Sequence, residues 1–249
     1  MEAPPAQDAP RFAVGLAWLV HALTASGAVF GLLALAATER GDIRAALLWL
    51  FAALVIDGVD GWLARRARVK LLAPRIDGAA LDLIVDYLNY VFVPTLIIWR
   101  AGLVPEPLAL PLAALIQLSS LYHFARTDMK GTDNYFMGFP ALWNMVAFYL
   151  VVAQLGRSAG AAIVLLLVAM TFAPVHFVHP FRVTDYGLWL PLIAVLWALA
   201  TLALLWPDWS PAARDGLLGL SLGAAAILLA MGLLRSLRGT RPAAVADGG

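Results

Sequence analysis

Four aspartates stand in two closely spaced pairs within strongly apolar sequence: Asp57 and Asp60, then Asp82 and Asp86. A carboxylate inside a membrane-spanning helix costs roughly 2.5–3.5 kcal/mol on insertion scales. Four of them together require a counter-charge, and divalent metal ions supply one. This pattern predicts a membrane enzyme that transfers a phosphate-linked group, with the aspartates holding the metal.

The first pair lies on one face of a predicted helix. An α-helix turns by ~100° and rises by ~1.5 Å per residue, so Asp57 and Asp60 share an arc of about 100°. Gly61 and Ala64 fall within the same arc. Their small side chains leave room for a ligand to approach the backbone closely.

The second pair lies on one face of the next helix, because Gly78, Asp82 and Asp86 repeat at a spacing of four residues. A short connection joins the two helices, so they run antiparallel. Asp60 then matches Asp82 in depth, close to one membrane surface. Asp57 matches Asp86 about one turn deeper. We therefore expect all four carboxylates to meet near that surface rather than at the middle of the bilayer.

The ligand set is carboxylate oxygen alone, and the chain contains no cysteine that could add a thiolate. Such ligands suit Mg²⁺ or Mn²⁺, which also bind phosphate oxygens. Two ions about 4 Å apart would clamp a diphosphate and stabilise both the attacking and the leaving oxygens. Arg65 stands at the mouth of this site, where it could meet phosphate as a bidentate donor.

Two simpler interpretations are less favoured. The aspartates could form ion pairs with Arg65, Arg66 and Arg68, but four acids on matched faces exceed what solubility or topology needs. His176 and His179 have a helical metal-ligand spacing, but no third ligand is evident and Pro180 follows directly. We expect a capping or structural role for these histidines.

The composition is that of a membrane protein, with 62% hydrophobic and 13% charged residues and a mean hydropathy of +0.83. The net charge of +1 excludes a globally basic nucleic-acid binder. The apolar blocks of about 20 residues can cross a hydrocarbon layer of about 30 Å as helix. Eight spans are predicted, at residues 14–37, 43–65, 76–99, 108–125, 138–155, 159–178, 187–206 and 214–234.

We therefore predict an all-α integral membrane protein of about eight transmembrane helices, because a segment in lipid must satisfy its own backbone hydrogen bonds. Residues 11–235 are expected to form a single transmembrane catalytic domain. The ends, 1–10 and 236–249, are expected to be disordered. The first apolar block is long and is followed by further spans, which favours a permanent helix over a signal peptide.

The distribution of basic residues predicts the orientation. With eight spans, both termini and the even-numbered loops share one side, which carries twelve of the 17 Lys and Arg residues. That excess assigns both termini and the basic loop 65–75 to the cytoplasm. The twelve residues are Arg11, Arg65, Arg66, Arg68, Lys70, Arg75, Arg126, Lys130, Arg182, Arg235, Arg238 and Arg241.

The aspartate pattern resembles the signature of the CDP-alcohol phosphatidyltransferase family, Asp-x2-Asp-Gly-x2-Ala-Arg, a spacer, then Gly-x3-Asp-x3-Asp. Every fixed position of the signature is present. The matching residues are Asp57, Asp60, Gly61, Ala64, Arg65, Gly78, Asp82 and Asp86. One departure is the spacer, because residues 66–77 number twelve where the family usually has about eight.

The longer spacer and several other segments resemble the bacterial branch of the family that uses choline. The segments are Thr24-Ala-Ser-Gly27, 81–94, 132–144 and 179–183. The resemblance implies one-step transfer of the phosphatidyl group of CDP-diacylglycerol to choline, giving phosphatidylcholine and CMP. It also implies Mn²⁺ or Mg²⁺, with two ions expected, a homodimer, and a bacterial inner membrane location with a cytoplasmic active site.

The resemblance also assigns roles by position. Asp57, Asp60 and Asp82 would be metal ligands, and Asp86 would both bind metal and take the hydroxyl proton from choline. The CDP moiety would be bound by Asp57 together with Gly61, Ala64, Arg65 and Gly78. Choline is a permanent cation that aromatic faces can bind, but six Tyr, nine Trp and eleven Phe leave its site open.

Other interpretations remain open at this point. Transfer to serine is the sibling reaction, whose enzymes carry a segment like Gly138-Phe-Pro140, and Arg126 or Lys130 could pair with the serine carboxylate. A cation-coupled carrier could also use acidic pairs. However, carriers often have broken helices and repeats around mid-bilayer sites, whereas here we expect uninterrupted helices and find no repeat. Asn89, on the Asp82 face, could contact substrate or form an interhelical hydrogen bond.

Overall fold

A computed structural model describes residues 10–127, 135–178, 183 and 185–238. Most of the two ends predicted to be disordered, 1–9 and 239–249, lies outside the described residues, as do 128–134, 179–182 and 184. The last helix continues to Arg238, three residues into the predicted tail.

The described chain is helical almost throughout. In chain order the elements are α1 (Arg11–Glu39), α2 (Ile43–Arg66), α3 (Val69–Leu72), α4 (Gly78–Asp86), a π-helical turn (Tyr87–Phe92), α5 (Val93–Arg100), α6 (Glu106–Ala125), β1 (Phe136–Met137), α7 (Trp143–Val152), α8 (Arg157–Thr171), β2 (His176–Phe177), α9 (Trp189–Leu204) and α10 (Pro211–Arg238).

The prediction of an all-α membrane protein is confirmed. Among the described residues, five helices are long and apolar enough to cross a membrane: Arg11–Glu39, Ile43–Arg66, Gly78–Arg100, Glu106–Ala125 and Pro211–Leu237. Three further apolar helices, α7, α8 and α9, are shorter. The eight apolar helices thus follow the predicted order, but only five of them have the full length expected of a span.

The fifth predicted span is shorter at both ends, since α7 covers Trp143–Val152, and the sixth is shorter at its far end, since α8 ends at Thr171. Gly138 (φ 79°) and Ala141 (φ 54°) adopt left-handed backbone conformations, which an α-helix excludes. Just before them, β1 pairs antiparallel with β2, with Phe136 opposite Phe177. The sequence did not predict these strands, because two residues are too few to show an alternating pattern.

The chain folds into two compact units. Of the described residues, the first unit contains those within Met1–Leu118 and Leu142–Ala162, including all four aspartates of the motif. The second unit contains those within Ser119–Ala141 and Ile163–Gly249. In this second unit α9 packs against α10, and the Ser236 hydroxyl accepts a hydrogen bond of 2.7 Å from the backbone N–H of His176.

In the first unit α1 packs against both α2 and the helix that begins at Gly78. The approach to the latter is close, because a Cβ atom on Gly27 would lie 2.5 Å from Cγ1 of Val85. One turn further along, a Cβ on Gly31 would lie 2.8 Å from Oδ1 of Asn89. Two glycines spaced four residues apart therefore let the helices meet at backbone distance, as small residues do in membrane helix pairs.

The helix Gly78–Arg100 is continuous, as predicted, but it is not α-helical throughout. Residues Tyr87–Phe92 form a π-helical turn directly after Asp86. Asn89 lies in this turn, and its Nδ2 donates to the carbonyls of Val85 (3.1 Å) and Gly27 (3.0 Å). The second bond confirms the interhelical role for Asn89. π-Turns inside α-helices are frequent at functional sites.

The basic connection between α2 and α4 is folded rather than extended. Its short helix α3 places Val69 and, just after it, Ala73 against Ala17 and Val20 of α1, and all four are buried. The side chains of Arg65, Arg66, Arg68, Lys70 and Arg75 are exposed. The twelve-residue spacer thus forms a small apolar cluster on α1 while its charges face outward.

We predict that Gly27→Ala destabilises the protein, because the new methyl group would overlap Val85, whose branched side chain is buried. Overpacking of this kind costs about 1–3 kcal/mol, which should lower the Tm of the purified protein. Gly15→Ala is the matched control on the same helix, because a Cβ there would have no described atom within 4 Å. Adding Val85→Ala to Gly27→Ala should restore stability. Equal Tm losses for Gly27→Ala and Gly15→Ala would contradict the close contact between Gly27 and Val85.

Candidate active site

Helices α2 and α4, which are joined by the basic connection, carry the four aspartates near the ends where that connection begins and stops. Asp60 and Asp57 lie six and nine residues before the end of α2 at Arg66. Asp82 and Asp86 lie four and eight residues after the start of α4 at Gly78. The side chain of Asp77 caps α4 by accepting hydrogen bonds from Ala79 and Ala80, which fixes where this helix begins.

Three of the four carboxylates converge. One oxygen from each of Asp57, Asp82 and Asp86 lies within 4.8 Å of the other two, and all three side chains are half-buried. Tyr90, one turn after Asp86, donates a hydrogen bond of 2.6 Å from its hydroxyl to Oδ2 of Asp57. The sequence correctly placed these three acids on facing helix surfaces.

Asp60 is held apart from this cluster. Its side chain is buried, with 6% exposure, and its Oδ2 accepts a hydrogen bond of 2.7 Å from the Thr24 hydroxyl on α1. Asp60 still lines the same cleft as the other three acids. The cleft holds about 260 Å³ of empty space including its open mouth.

The chemistry of the cluster fits a divalent cation. Two unit charges 4 Å apart repel by about 4 kcal/mol at an effective dielectric constant of about 20, so three carboxylates at this separation need positive charge between them. The side chains of Arg65, Arg66 and Arg68 are exposed, whereas the converging acids are half-buried. An all-oxygen donor set is the kind that Mg²⁺ and Mn²⁺ prefer.

The residues expected to bind the CDP moiety have different surroundings. Gly61 is open, and the nearest atom to a Cβ there would be Nη1 of Arg65, at 3.6 Å. Arg65 itself is exposed. Ala64 packs against the apolar cluster between α1 and α3. Gly61 therefore leaves open space, whereas Ala64 contributes to the packing of the basic connection.

Gly78 lies against a histidine rather than against empty space. A Cβ on Gly78 would be 3.2 Å from Cε1 of His21. The His21 ring is buried, and its Nε2 lies 3.4 Å from the carbonyl oxygen of Ala73. The missing side chain at Gly78 thus makes room for a ring that connects α1 to the end of the basic loop.

Sequence reasoning did not identify the roles of Thr24 and Tyr90. Tyr90 carries a usable signal, since it follows Asp86 by four residues and its hydroxyl must find a partner inside a membrane helix. Thr24 carries none, because its partner Asp60 is 36 residues away on another helix.

Two other residues considered from sequence, His176 and Arg126, belong to the second unit. His176 lies in β2, where its ring Nδ1 is 3.2 Å from the Ser236 hydroxyl, and His179 lies outside the described residues. The Arg126 guanidinium stacks over the Tyr122 ring at 5.5 Å. Lys130 also lies outside the described residues.

Comparison with known proteins finds several similar bacterial proteins, each named phosphatidylcholine synthase. The protein from Pseudomonas aeruginosa is 44% identical over 225 residues, which cover 89% of this chain and 92% of its own length. The Bradyrhizobium diazoefficiens protein is 44% identical over 75% of this chain and 70% of its own. The Borreliella burgdorferi protein is 37% identical over 68% and 73%. No protein-family model matches the chain.

We predict that the contact with His21 explains why position 78 is glycine. Gly78→Ala should lower the Tm, because the methyl group would press on the buried His21 ring. In a His21→Ala background the ring is gone, so adding Gly78→Ala should cause little further loss. The four proteins would be compared by thermal unfolding in detergent. If Gly78→Ala lowers the Tm equally with and without His21, another contact must exclude a side chain at position 78.

Proposed function

The chain belongs to the phosphatidylcholine synthase family, and on that premise we propose that it transfers the phosphatidyl group of CDP-diacylglycerol to choline and releases CMP. The observation that carries this proposal is the convergence of Asp57, Asp82 and Asp86 within 4.8 Å of one another. Relatives at 37–44% identity bear the name of this activity. The enzyme is thus a membrane-embedded phosphotransferase.

The aspartates serve as ligands for divalent metal, with Asp57, Asp82 and Asp86 providing the converging oxygens and Asp60 the fourth. Mn²⁺ or Mg²⁺ held by these residues would supply positive charge to the diphosphate of the substrate. Asp57 and Asp60 already accept hydrogen bonds from neighbouring helices, so little reorganisation is needed when the substrate binds. This preorganisation supports a role in holding charged groups during the transfer.

Asp86 acts as the general base. Its carboxylate accepts the hydroxyl proton of choline while the choline oxygen forms a bond to the phosphorus that carries diacylglycerol. The bond from that phosphorus to the oxygen of CMP breaks, and CMP leaves with the electron pair. Asp86 is suited to this role because it is half-buried in the cleft yet belongs to the converging group.

The CDP moiety binds along the cytoplasmic end of α2 and the start of α4. Gly61 leaves open space beside Asp57, and Arg65 lies exposed one turn further, where it can meet phosphate. The family signature adds Ala64 and Gly78 to this wall, although Ala64 also packs against the apolar cluster and Gly78 also lies against His21. The exposed basic residues of the connection attract the anionic nucleotide-lipid to this end of the helices.

Choline is the proposed acceptor because the relatives named above share that assignment. Nothing in the described structure favours serine, whose carboxylate partner would be Arg126 or Lys130. The carrier interpretation is disfavoured because the helix of Asp86 stays continuous through its π-turn. Family membership also favours the enzyme, and the acids lie near helix ends rather than at a mid-bilayer break.

We further propose that residues 11–235 form one transmembrane catalytic domain in the bacterial plasma membrane. Both termini and the active site face the cytoplasm, as the excess of Lys and Arg on that side supports. The protein acts as a homodimer, as the family resemblance implies. CDP-diacylglycerol enters from the lipid, while choline and CMP exchange with water.

Asp86→Asn is predicted to reduce transfer by about 100-fold or more even at saturating Mn²⁺, because the amide cannot take a proton. Asp57→Asn and Asp82→Asn should also lose activity, but higher Mn²⁺ should restore part of it if they are ligands only. Asp42→Asn is the matched control, since Asp42 caps the far end of α2 and asparagine caps equally well. Near-normal turnover of Asp86→Asn would exclude it as the base.

The acceptor is tested by CMP release from CDP-diacylglycerol by the purified protein with Mn²⁺. We expect release with choline, together with formation of phosphatidylcholine, and none with serine, inositol or glycerol phosphate. A response to serine instead would retain the fold and mechanism and change the acceptor. Suppose that no acceptor gives CMP release, but CDP with Mn²⁺ still raises the Tm of the protein. The nucleotide site would then stand, and the proposal that one of these acceptors is used would be contradicted. If the Tm also fails to rise, the carrier interpretation gains support.

A further inference from the structure

We propose that two hydroxyl groups outside the aspartate motif, those of Tyr90 and Thr24, are positioning residues that hold the two α2 carboxylates for metal binding. The inference rests on the proposed function, because it concerns the same metal site. Tyr90 holds Asp57 and Thr24 holds Asp60.

The lengths of the two hydrogen bonds support this role. The Tyr90 bond to Asp57 measures 2.6 Å and the Thr24 bond to Asp60 measures 2.7 Å. O–H donors approach an ionised carboxylate to about 2.5–2.7 Å, closer than they approach neutral acceptors. Each bond uses Oδ2 of its aspartate, and an ionised carboxylate that accepts one hydrogen bond keeps further lone pairs for a cation.

The two donors come from two different helices that pack against α2. Tyr90 lies in the π-turn of the helix that also carries Asp82 and Asp86, and it is buried with 8% exposure. Thr24 lies on α1 and is buried with 8% exposure. A carboxylate on a helix can rotate about two side-chain bonds, and a buried donor from a neighbouring helix selects one rotamer.

The π-turn continues the helix beyond Asp86, so Tyr90 lies on the same helix as two of the converging acids. Asn89, the neighbour of Tyr90, bonds to the Gly27 carbonyl and so fixes the turn against α1. Because Asp86 and Tyr90 belong to one continuous helix, a single element supplies two of the converging acids and the donor that orients the third. Partners that orient metal ligands typically change metal affinity or activity by about 10–100-fold when removed.

Direct Mn²⁺ binding tests the proposal without relying on turnover. Full-length protein in lipid nanodiscs would be titrated with Mn²⁺, and free Mn²⁺ would be followed by electron paramagnetic resonance. We expect Tyr90→Phe and Thr24→Val to weaken Mn²⁺ binding by about 10-fold or more. Thr24→Ser keeps a hydroxyl and should retain most of the affinity.

Tyr87→Phe is the matched control for Tyr90→Phe. It removes the same hydroxyl from the same π-turn, but the partner of that hydroxyl is Gln117 on α6, at 2.6 Å. Its Mn²⁺ affinity should stay within about twofold of the unmodified protein. If the positions act through their aspartates, Tyr90→Phe should cause little further loss in an Asp57→Asn background.

The outcomes separate this inference from the proposed function. If the unmodified protein binds no Mn²⁺, the metal centre itself is contradicted. If it binds Mn²⁺ and a folded Tyr90→Phe or Thr24→Val protein binds equally well, the positioning role is overturned. Equal weakening by Tyr87→Phe would overturn it for Tyr90, since the effect would then be a general loss of packing. Should Tyr90→Phe fail to fold, the comparison of Thr24→Val with Thr24→Ser decides.

Discussion

The first unit is organised around the electrostatic cost of placing carboxylates in apolar helices. Each acid has a specific compensation: Asp57 and Asp60 receive hydroxyl donors, and Asp57, Asp82 and Asp86 converge so that one cation can serve all three. Without these arrangements the same side chains would oppose insertion of α2 and α4. The contacts between α1, α2 and the helix beginning at Gly78 therefore have two roles: they pack the helices together and they compensate the buried carboxylates.

The close approach of α1 follows from that requirement. Thr24 can reach Asp60 only because α1 lies near the other helices, and Gly27 and Gly31 remove the side chains that would keep it away. Asn89 uses the same approach to bond with the α1 backbone. The hydroxyl and the two small residues thus act together on one face of α1, three and four residues apart, where a helix presents its neighbours.

The sequence predicted the part of the site that depends on helical periodicity. Asp57 and Asp86 could be placed on facing surfaces because both helices are regular up to those residues. The order of the eight apolar helices could be predicted from the length of the apolar blocks. Three features escaped prediction for physical reasons. The π-turn contains Asn89, which bonds to a carbonyl 62 residues away. The role of Thr24 depends on a partner 36 residues away, and the close neighbour of Gly78 is the His21 ring on α1.

All of the groups that form the candidate site, from Thr24 to Tyr90, lie within the first three long helices. This placement has a consequence for biosynthesis. The acids of α2 and α4 follow directly after the α1 helix that donates a hydrogen bond to one of them, so Asp57 and Asp60 are synthesised close in time to the residues that bond to them. Short separations along the chain also keep the entropy of loop closure low. All residues of the aspartate cluster are thus synthesised before the later helices.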